Sequence, residues 1–344
     1  LHRTSVSPYR AAMRRLLFVA LVFAVLGPIP GADQRLTRVD EHSQRVTAHA
    51  LRYPAEGRGM LRFVRGWRLD SPNQVFGGFS ALATLGGGRF EMIGDSGYGT
   101  RLTLHDDGRV SGARIGLMPA PGKHPRRKSQ SDFEAMAVDP ATGTTWVALE
   151  GLNQVWRIDA GWTRIESRAA LPHPRWPGNR GPEAMARLAD GRTLIMSEDA
   201  DDDPRGREAL IFAGDPAVPG TRGVRFFYDS QGKGRVSDAA PLPDGRVLIV
   251  HRRLGLRPVF TTILAIADPA DIRPGGVIRS QTIGTVPLPL AENYEGAAIE
   301  VRGGRTFVWL VSDDNFNSWQ RSLLVEFELV GLPPRRVDSK KAAR

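Results

Sequence analysis

The chain has 344 residues, 41% of them hydrophobic and 24% charged, enough for one or two domains with a sizeable core, and it has no cysteine, which excludes disulfides, thiolate metal sites and cysteine nucleophiles. The formal charge is +10, but Arg3, Arg10, Arg14 and Arg15 stand in an N-terminal stretch without acids, and Arg335, Arg336, Lys340, Lys341 and Arg344 crowd the C-terminal tail, so the body between them is near neutral. Lysine occurs only five times and no basic run alternates with aromatics, which argues against a nucleic-acid partner.

Residues 1–32 read as an upstream extension followed by an export signal. Met13-Arg14-Arg15 supplies its charged start, Leu16 to Leu26 an apolar run short for a bilayer, and Pro28-Ile29-Pro30-Gly31-Ala32 a small-residue end with cleavage after Ala32. An uncleaved N-terminal anchor is the other reading. Both place the body outside the cytoplasm, periplasmic or secreted, with no membrane span once the signal is cleaved. Residues 33–59 read as a polar linker, 60–330 as the folded domain and 331–344 as a basic disordered tail.

Within the domain, Met60 to Leu69 is a strand with basic residues on one side. Five hairpins then recur. The first pairs Phe79–Leu85 with Arg89–Ser96 around Gly86-Gly87-Gly88. The second pairs Ser131–Val138 with Thr144–Gly151 around Asp139-Pro140-Ala141-Thr142-Gly143. The third pairs Pro182–Leu188 with Arg192–Asp199 around Asp190-Gly191, the fourth Ser237–Leu242 with Arg246–His251 around Asp244-Gly245, and the fifth Tyr294–Glu300 with Thr306–Asp313 around Gly303-Gly304. In each, one polar residue opens the first strand and another closes the second: Ser80 with Asp95, Glu134 with Glu150, Glu183 with Glu198, Asp238 with His251, Glu295 with Asp313. Further strand pairs lie between the hairpins, among them Thr261–Ile266 with Val277–Ile283.

The turns step by roughly 48 to 60 residues, within the range of a propeller blade. The expectation is an all-β propeller of five blades, six being the alternative, with the ring closed by the strand at 60–69 pairing with Ser322–Leu329. Rotation about the axis would gather the polar hairpin ends at one channel mouth. Asp95, Glu134, Glu150, Glu183, Glu198, Asp199, Glu295 and Asp313 would then repel one another unless protonated or joined by a cation. Oxygen ligands without sulfur suit calcium above all, with magnesium or manganese as second choices. Acids that merely tie blade to blade through backbone amides are the competing explanation. His251, Arg252 and Arg253 break the acidic rule in the fourth hairpin, where the arginines, with Arg101, could steady an anion and His251 could donate a proton. Gly94-Asp95-Ser96-Gly97, which has the look of a serine-protease nucleophile, closes a repeat hairpin instead.

At Gly78-Phe79-Ser80-Ala81-Leu82, Asp132-Phe133-Glu134-Ala135-Met136-Ala137, Gly181-Pro182-Glu183-Ala184-Met185, Asn293-Tyr294-Glu295-Gly296-Ala297 and Ser312-Asp313-Asp314-Asn315-Phe316, the chain resembles the "esterase-like activity of phytase" family of exported bacterial proteins. The resemblance spans nearly all of residues 70–330. It implies a propeller-like fold and a hydrolase of phosphate esters working through recurrent Glu and Asp residues. Glu134, Glu183, His251 and Arg252 are then the candidate catalytic residues, Arg252, Arg253 and Arg101 the candidate substrate ligands, and the substrate a small ester or phosphoester bound by a monomer. The departures at Ser80 and Asp238, and the few cations, fit phytate itself poorly. A lactonase or carboxylic esterase and a non-catalytic binding propeller are the alternatives.

Overall fold

The computed structural model describes residues 42–54, 57–121, 130–172, 176, 180–198 and 203–335. The expected export signal, Asp199 and the last residues of the basic tail lie outside the described residues. In chain order, β1 (Thr47–Ala50), β2 (Gly57–Arg58) and β3 (Leu61–Asp70) precede a first blade of β4 (Phe79–Thr84), β5 (Arg89–Gly94), β6 (Tyr98–Leu104) and β7 (Val110–Leu117). Blade two is β8 (Phe133–Val138), β9 (Thr145–Leu149), β10 (Gln154–Ile158) and β11 (Ile165–Ala170). Blade three begins with β12 (Pro182–Arg187), β13 (Thr193–Ser197), β14 (Arg207–Phe212) and β15 (Gly223–Asp229). Blade four has β16 (Arg235–Pro241), β17 (Val247–Leu254) and β18 (Phe260–Ala267); β19 (Val277–Arg279) then pairs with β15, and β20 (Gln281–Thr285) completes blade four. Blade five combines β21 (Tyr294–Arg302), β22 (Arg305–Ser312) and β23 (Leu323–Leu329) with β3 and then β1. The inner strands β4, β8, β12, β16 and β21 follow one another around the axis and β21 returns to β4, making a five-bladed propeller.

The strands read as nearly continuous apolar runs because both faces are covered. Thr145–Leu149 and Thr193–Ser197 are buried at every residue, and five cores fill the five gaps between blades. Alternation along each strand sends successive side chains to opposite gaps. Thus Met92 and Trp309 pack between blades five and one, while Ile93 and Trp156 pack between one and two. The Asp-Gly turns follow from backbone chemistry. Gly191 and Gly245 adopt φ of +86° and +85°, and Asp190 and Asp244 accept the amides of Arg192 and Arg246 at 3.1 and 3.0 Å.

Blade five joins the two ends of the chain. β3 runs antiparallel to β23 with Arg65 opposite Glu326 and Arg62 opposite Glu328. The wholly buried Glu326 side chain accepts Arg65 Nε at 2.6 Å and also pairs with Arg302, and Glu328 is shared by Arg62 and Arg305. β1 lies inside the stretch that composition marks as linker, yet Thr47–Ala50 pairs with Trp67–Asp70 as the outermost strand. It is read as linker because an edge strand exposes most of its residues and so carries little apolar pattern. Val277–Ile283, expected as one strand, is two. It divides at Ser280, whose Oγ meets the Tyr228 hydroxyl at 2.5 Å; β19 joins blade three in parallel and β20 joins blade four. Residues of the basic tail also dock, with Arg246 Nη1 donating to the Pro333 carbonyl at 2.7 Å and Arg335 pairing with Asp268 at 3.3 Å. No helix among the described residues is long and apolar enough to cross a membrane.

The ring is tightest where blade five meets blade one. A Cβ added at Gly296 would lie 2.7 Å from the Leu82 amide nitrogen and 2.8 Å from the Ala81 carbonyl carbon. Backbone cannot yield as a side chain can, so Gly296→Ala is expected to cost roughly 1–3 kcal/mol, read as a lowered urea midpoint at unchanged slope.

Candidate functional site at the channel mouth

Each inner strand slips by one residue against its partner near its start, at the second position in four blades and the third in blade four. The slips lie between Phe79 and Ala81, Phe133 and Ala135, Pro182 and Ala184, Val236 and Asp238, and Tyr294 and Gly296. Ser80, Glu134, Glu183, Ser237 and Glu295 are the residues passed over. A bulge of this kind turns one side chain away from the alternation of its neighbours. Here it frees one polar residue per blade from the inter-blade cores.

The ends of the second strands form a matching set. The amides of Asp95, Glu150, Glu198 and Asp313 donate to the carbonyls of Gly78, Asp132, Gly181 and Asn293, each two residues before a bulge, at 2.8–3.3 Å. In blade four the corresponding pair is Arg252 opposite Arg235. The equivalent positions of the five blades are therefore Asp95, Glu150, Glu198, Arg252 and Asp313.

This corrects the expectation for blade four, where Asp238 and His251 were paired. Both sit one residue out of register and so point into protein. Asp238 is buried and accepts the amides of Ala239 and Ala297, each at 2.7 Å, which ties blade four to blade five. His251 is completely buried, with Nε2 on the Tyr228 hydroxyl at 2.7 Å and Nδ1 facing the Ile263 carbonyl at 3.2 Å. Burial pushes its pKa down to about 3, so it is a neutral structural residue and not the proton donor. Arg253, the next residue of β17, is exposed, and strand alternation turns its side chain away from that of Arg252. Arg101 lies between blades one and two, paired with Glu91 at 2.8 Å and stacked on Trp162 at 3.9 Å from the ring centroid. Neither belongs to the mouth.

The others come together. Arg252 lies in the middle of one half of the ring, giving Nη2 to Glu198 Oε1 at 3.1 Å and Nη1 to Glu295 Oε1 and to Asn293 Oδ1, the last at 2.8 Å. Arg235 adds a second bond to Glu198 Oε1 at 3.0 Å. Asn293 Nδ2 in turn donates to Glu295 at 2.9 Å and to Asp313 at 3.2 Å. Burial, then the charge of Glu198, Glu150 and Glu295, raises the pKa of Glu183 well above the carboxylate range, with Arg252 opposing. Asp313 is raised by burial, Glu295 and Asp95. Glu295 is raised by burial, against Arg252 and Asn293.

The other half is organised differently. Burial and four acids, Glu183, Asp132, Glu150 and Asp95, hold Glu134 well above the usual range. Asp132, Glu134 and Glu150 offer carboxylate oxygens within 4.8 Å of one another. Oxygens bound to one calcium at 2.3–2.6 Å lie at most about 5 Å apart, so these three suit that ion. Glu150 also serves the fold, since its Oε1 accepts the Gly181 amide at 3.0 Å and joins blade two to blade three. The Ser96 and Ser237 hydroxyls are buried with no hydrogen-bond partner among the described residues. Ser237 is the bulge residue of blade four, so one polar side chain at a ring position remains open to a ligand or water, while Ser96 follows the acid of blade one. Asp132, Arg235 and Asn293 were not expected from the sequence. All three stand two residues before a bulge, a spacing that marks them once the bulges are aligned.

Fold and site together define a five-bladed propeller with an acid-lined mouth into which Arg252 reaches. Residues 74–316 match the phytase-like family described as "esterase-like activity of phytase", and the chain belongs to that family. No curated protein matches the sequence. Among solved structures, glutaminyl cyclase of Myxococcus xanthus is similar at 13% identity and a TM-score of 0.46, over 80% of this chain and 99% of that one. Regucalcin of Agrobacterium tumefaciens, a calcium-binding protein, is similar at 12% identity and 0.39, over 75% and 94%. Hydrazine synthase of Kuenenia stuttgartiensis is similar at 12% identity and 0.38, over 70% of this chain and 58% of that one, so the chain spans little more than half of that relative. These likenesses concern the fold alone.

The electrostatics fix a sign. Glu134, Glu183, Glu295 and Asp313 have folded pKa values above their unfolded ones, so the folded state holds extra protons. Their contribution to stability is fully present below the ordinary carboxylate range and falls as pH rises through the folded values. In chelator, the melting temperature should therefore fall as pH rises above the ordinary carboxylate range of about 4. Calcium at a hundredfold excess over Kd should restore about 2.7 kcal/mol at the higher pH. Thermal melts with and without calcium decide this, and a melting temperature that rises with pH in chelator would contradict the assignment.

Proposed function

We propose that this protein is an exported hydrolase of phosphate mono- or diesters working at the acidic mouth, with the stretch at 13–32 as its export signal. The observation that carries the reading is the uneven charge of the ring. Arg252 neutralises the half containing Glu198 and Glu295, while Asp132, Glu134 and Glu150 stand together with acids as the strongest charges acting on Glu134. A divalent cation, calcium by the chemistry of the donors, would be held by those three carboxylates. Bound there, it would polarise the ester and lower the pKa of a water.

The remaining chemistry belongs to the side chains. Glu183 stands between the two halves, influenced by Glu150 on one side and by Glu198, Glu295 and Arg252 on the other. Kept protonated by burial and neighbouring charge, it is the acid that gives its proton to the leaving oxygen, the role first expected of His251. Arg252 is fixed by Asn293, Glu198 and Glu295, so it acts as a placed charge and not as a mobile anion clamp. With Arg101 and Arg253 outside the mouth, the cationic shelf for a polyphosphorylated ring is thin, which supports an ester with a single phosphate group over phytate. The same thinness favours, as a second reading, a lactone or carboxylic ester.

Hydrolysis of phosphomonoester, phosphodiester and lactone substrates, measured side by side with calcium, tests the proposal. Glu183→Gln should lower kcat by about 10²–10⁴-fold while calcium binding by calorimetry persists. Glu134→Gln combined with Glu150→Gln should abolish calcium binding. A folded double variant with unaltered turnover and calcium uptake would move the chemistry away from these acids, and a wild type that turns over none of the three substrates would leave only a binding propeller.

A further inference from the structure

The loop between β22 and β23 leaves the ring at Asp313 and carries the exposed Phe316 and Trp319, 49% and 46% accessible. Asn315 and Phe316 take φ of +49° and +53°, a left-handed backbone that a bulky aromatic residue rarely adopts and that glycine or asparagine would occupy at lower cost. The conformation is held by the acids of the mouth. Asp313 Oδ1 accepts the Asn315 amide at 2.6 Å and Asp314 Oδ1 the Phe316 amide at 3.1 Å. Ser322 Oγ donates to Asp314 Oδ2 at 2.8 Å, and Gln320 Nε2 donates to the Asp313 carbonyl at 3.3 Å.

The ring of Phe316 leans over Gly78. A Cβ added at Gly78 would lie 2.5 Å from Phe316 Cε2 and 3.3 Å from Asp95 Oδ1, so the aromatic ring and the carboxylate of blade one share the space that glycine leaves. Trp319, further along the loop, stacks on Phe260 of blade four with ring centroids 6.3 Å apart and planes at 8°. Phe316 is exposed as a residue, so burial does not explain why an aromatic residue stands where the backbone disfavours one. Strain of this kind, kept in place by the hydrogen bonds of a reactive site, points to use.

We propose that Phe316 is a stacking platform at the rim of the mouth, binding an aryl or similarly flat alcohol group of the ester whose charged half enters the acid ring. The proposal rests on the phosphate-ester reading above. Its substrate class is an aryl phosphate ester. The flat face stacks on Phe316 beside Asp95, and the scissile oxygen is directed inward toward Glu183.

Phenylphosphonate and methylphosphonate, which cannot be hydrolysed at the P–C bond, separate the two parts when their binding is measured by calorimetry in calcium buffer. The wild type should prefer the phenyl compound, and Phe316→Gly should reduce the phenyl-to-methyl affinity ratio roughly 3- to 10-fold. Glycine suits the left-handed φ, so this variant should melt no lower than wild type. Phe316→Tyr should restore the preference and Phe316→Leu should not. Equal affinity for the two phosphonates in the wild type, or a phenyl preference that survives Phe316→Gly, removes the platform and leaves the hydrolase reading standing. Failure to bind either phosphonate overturns both.

Discussion

Every inner strand has to satisfy two demands that a regular strand cannot meet together. Its side chains must alternate between two inter-blade cores, and it must still place a polar group at the end of the central channel. The one-residue slip near the start of each strand resolves the conflict. Apolar residues before and after the slip remain in the cores: Phe133 is packed between blades one and two, and Ala135 between two and three. The residue between them, Glu134, is left to the mouth. Blade number, site position and the identity of the latching residues all depend on that register.

Arg252 then determines how the gathered charge is distributed. Blades one, two, three and five place an acid at the end of the second strand, and blade four places a guanidinium there. One arginine cannot offset seven carboxylates at the ten equivalent positions, and Arg252 does not try to. It is committed to Glu198 and Glu295. An ion pair in so enclosed a place is weak support for stability. Its consequence here is positional, since it fixes Glu198 and Glu295 while Asp132, Glu134 and Glu150 gather on the other arc.

Much of this was legible in the sequence, because turn chemistry and strand period are local. The Gly and Asp-Gly turns gave the pivots, and symmetric placement about them gave most of the ring. Blade four was misread for a physical reason. Symmetry about a turn does not register a bulge, and Asp238 and His251 are polar residues that a counting rule accepts. The better guide is the triplet of an apolar residue, a polar one and a small one, as in Phe133-Glu134-Ala135 or Tyr294-Glu295-Gly296. Val236-Ser237-Asp238 departs from it only in the third residue, and that residue is spent on the Ala239 and Ala297 amides. Arg101 was misplaced for another reason. Nothing in its local sequence shows that Trp162, from the next blade, will cover its guanidinium.

Architecture and charge are coupled through the latches. Repulsion among the acids pushes the inner strand ends apart, while Glu150 on Gly181, Asp314 on Gly78 and Arg252 on Asn293 hold neighbouring blades together. Gly181 is needed for the first of these, because a Cβ there would come within 2.6 Å of Glu150 Cγ. One oxygen of Glu150 is thereby fixed by blade three while its carboxylate also belongs to the cluster with Asp132 and Glu134. A ligand that satisfies the cluster relieves the force that opposes the latches, and blades that separate dismantle the cluster. Structural and chemical explanations of these acids are therefore not rivals: the hydrogen bonds that tie the blades through Glu150 also set where its carboxylate stands in the cluster.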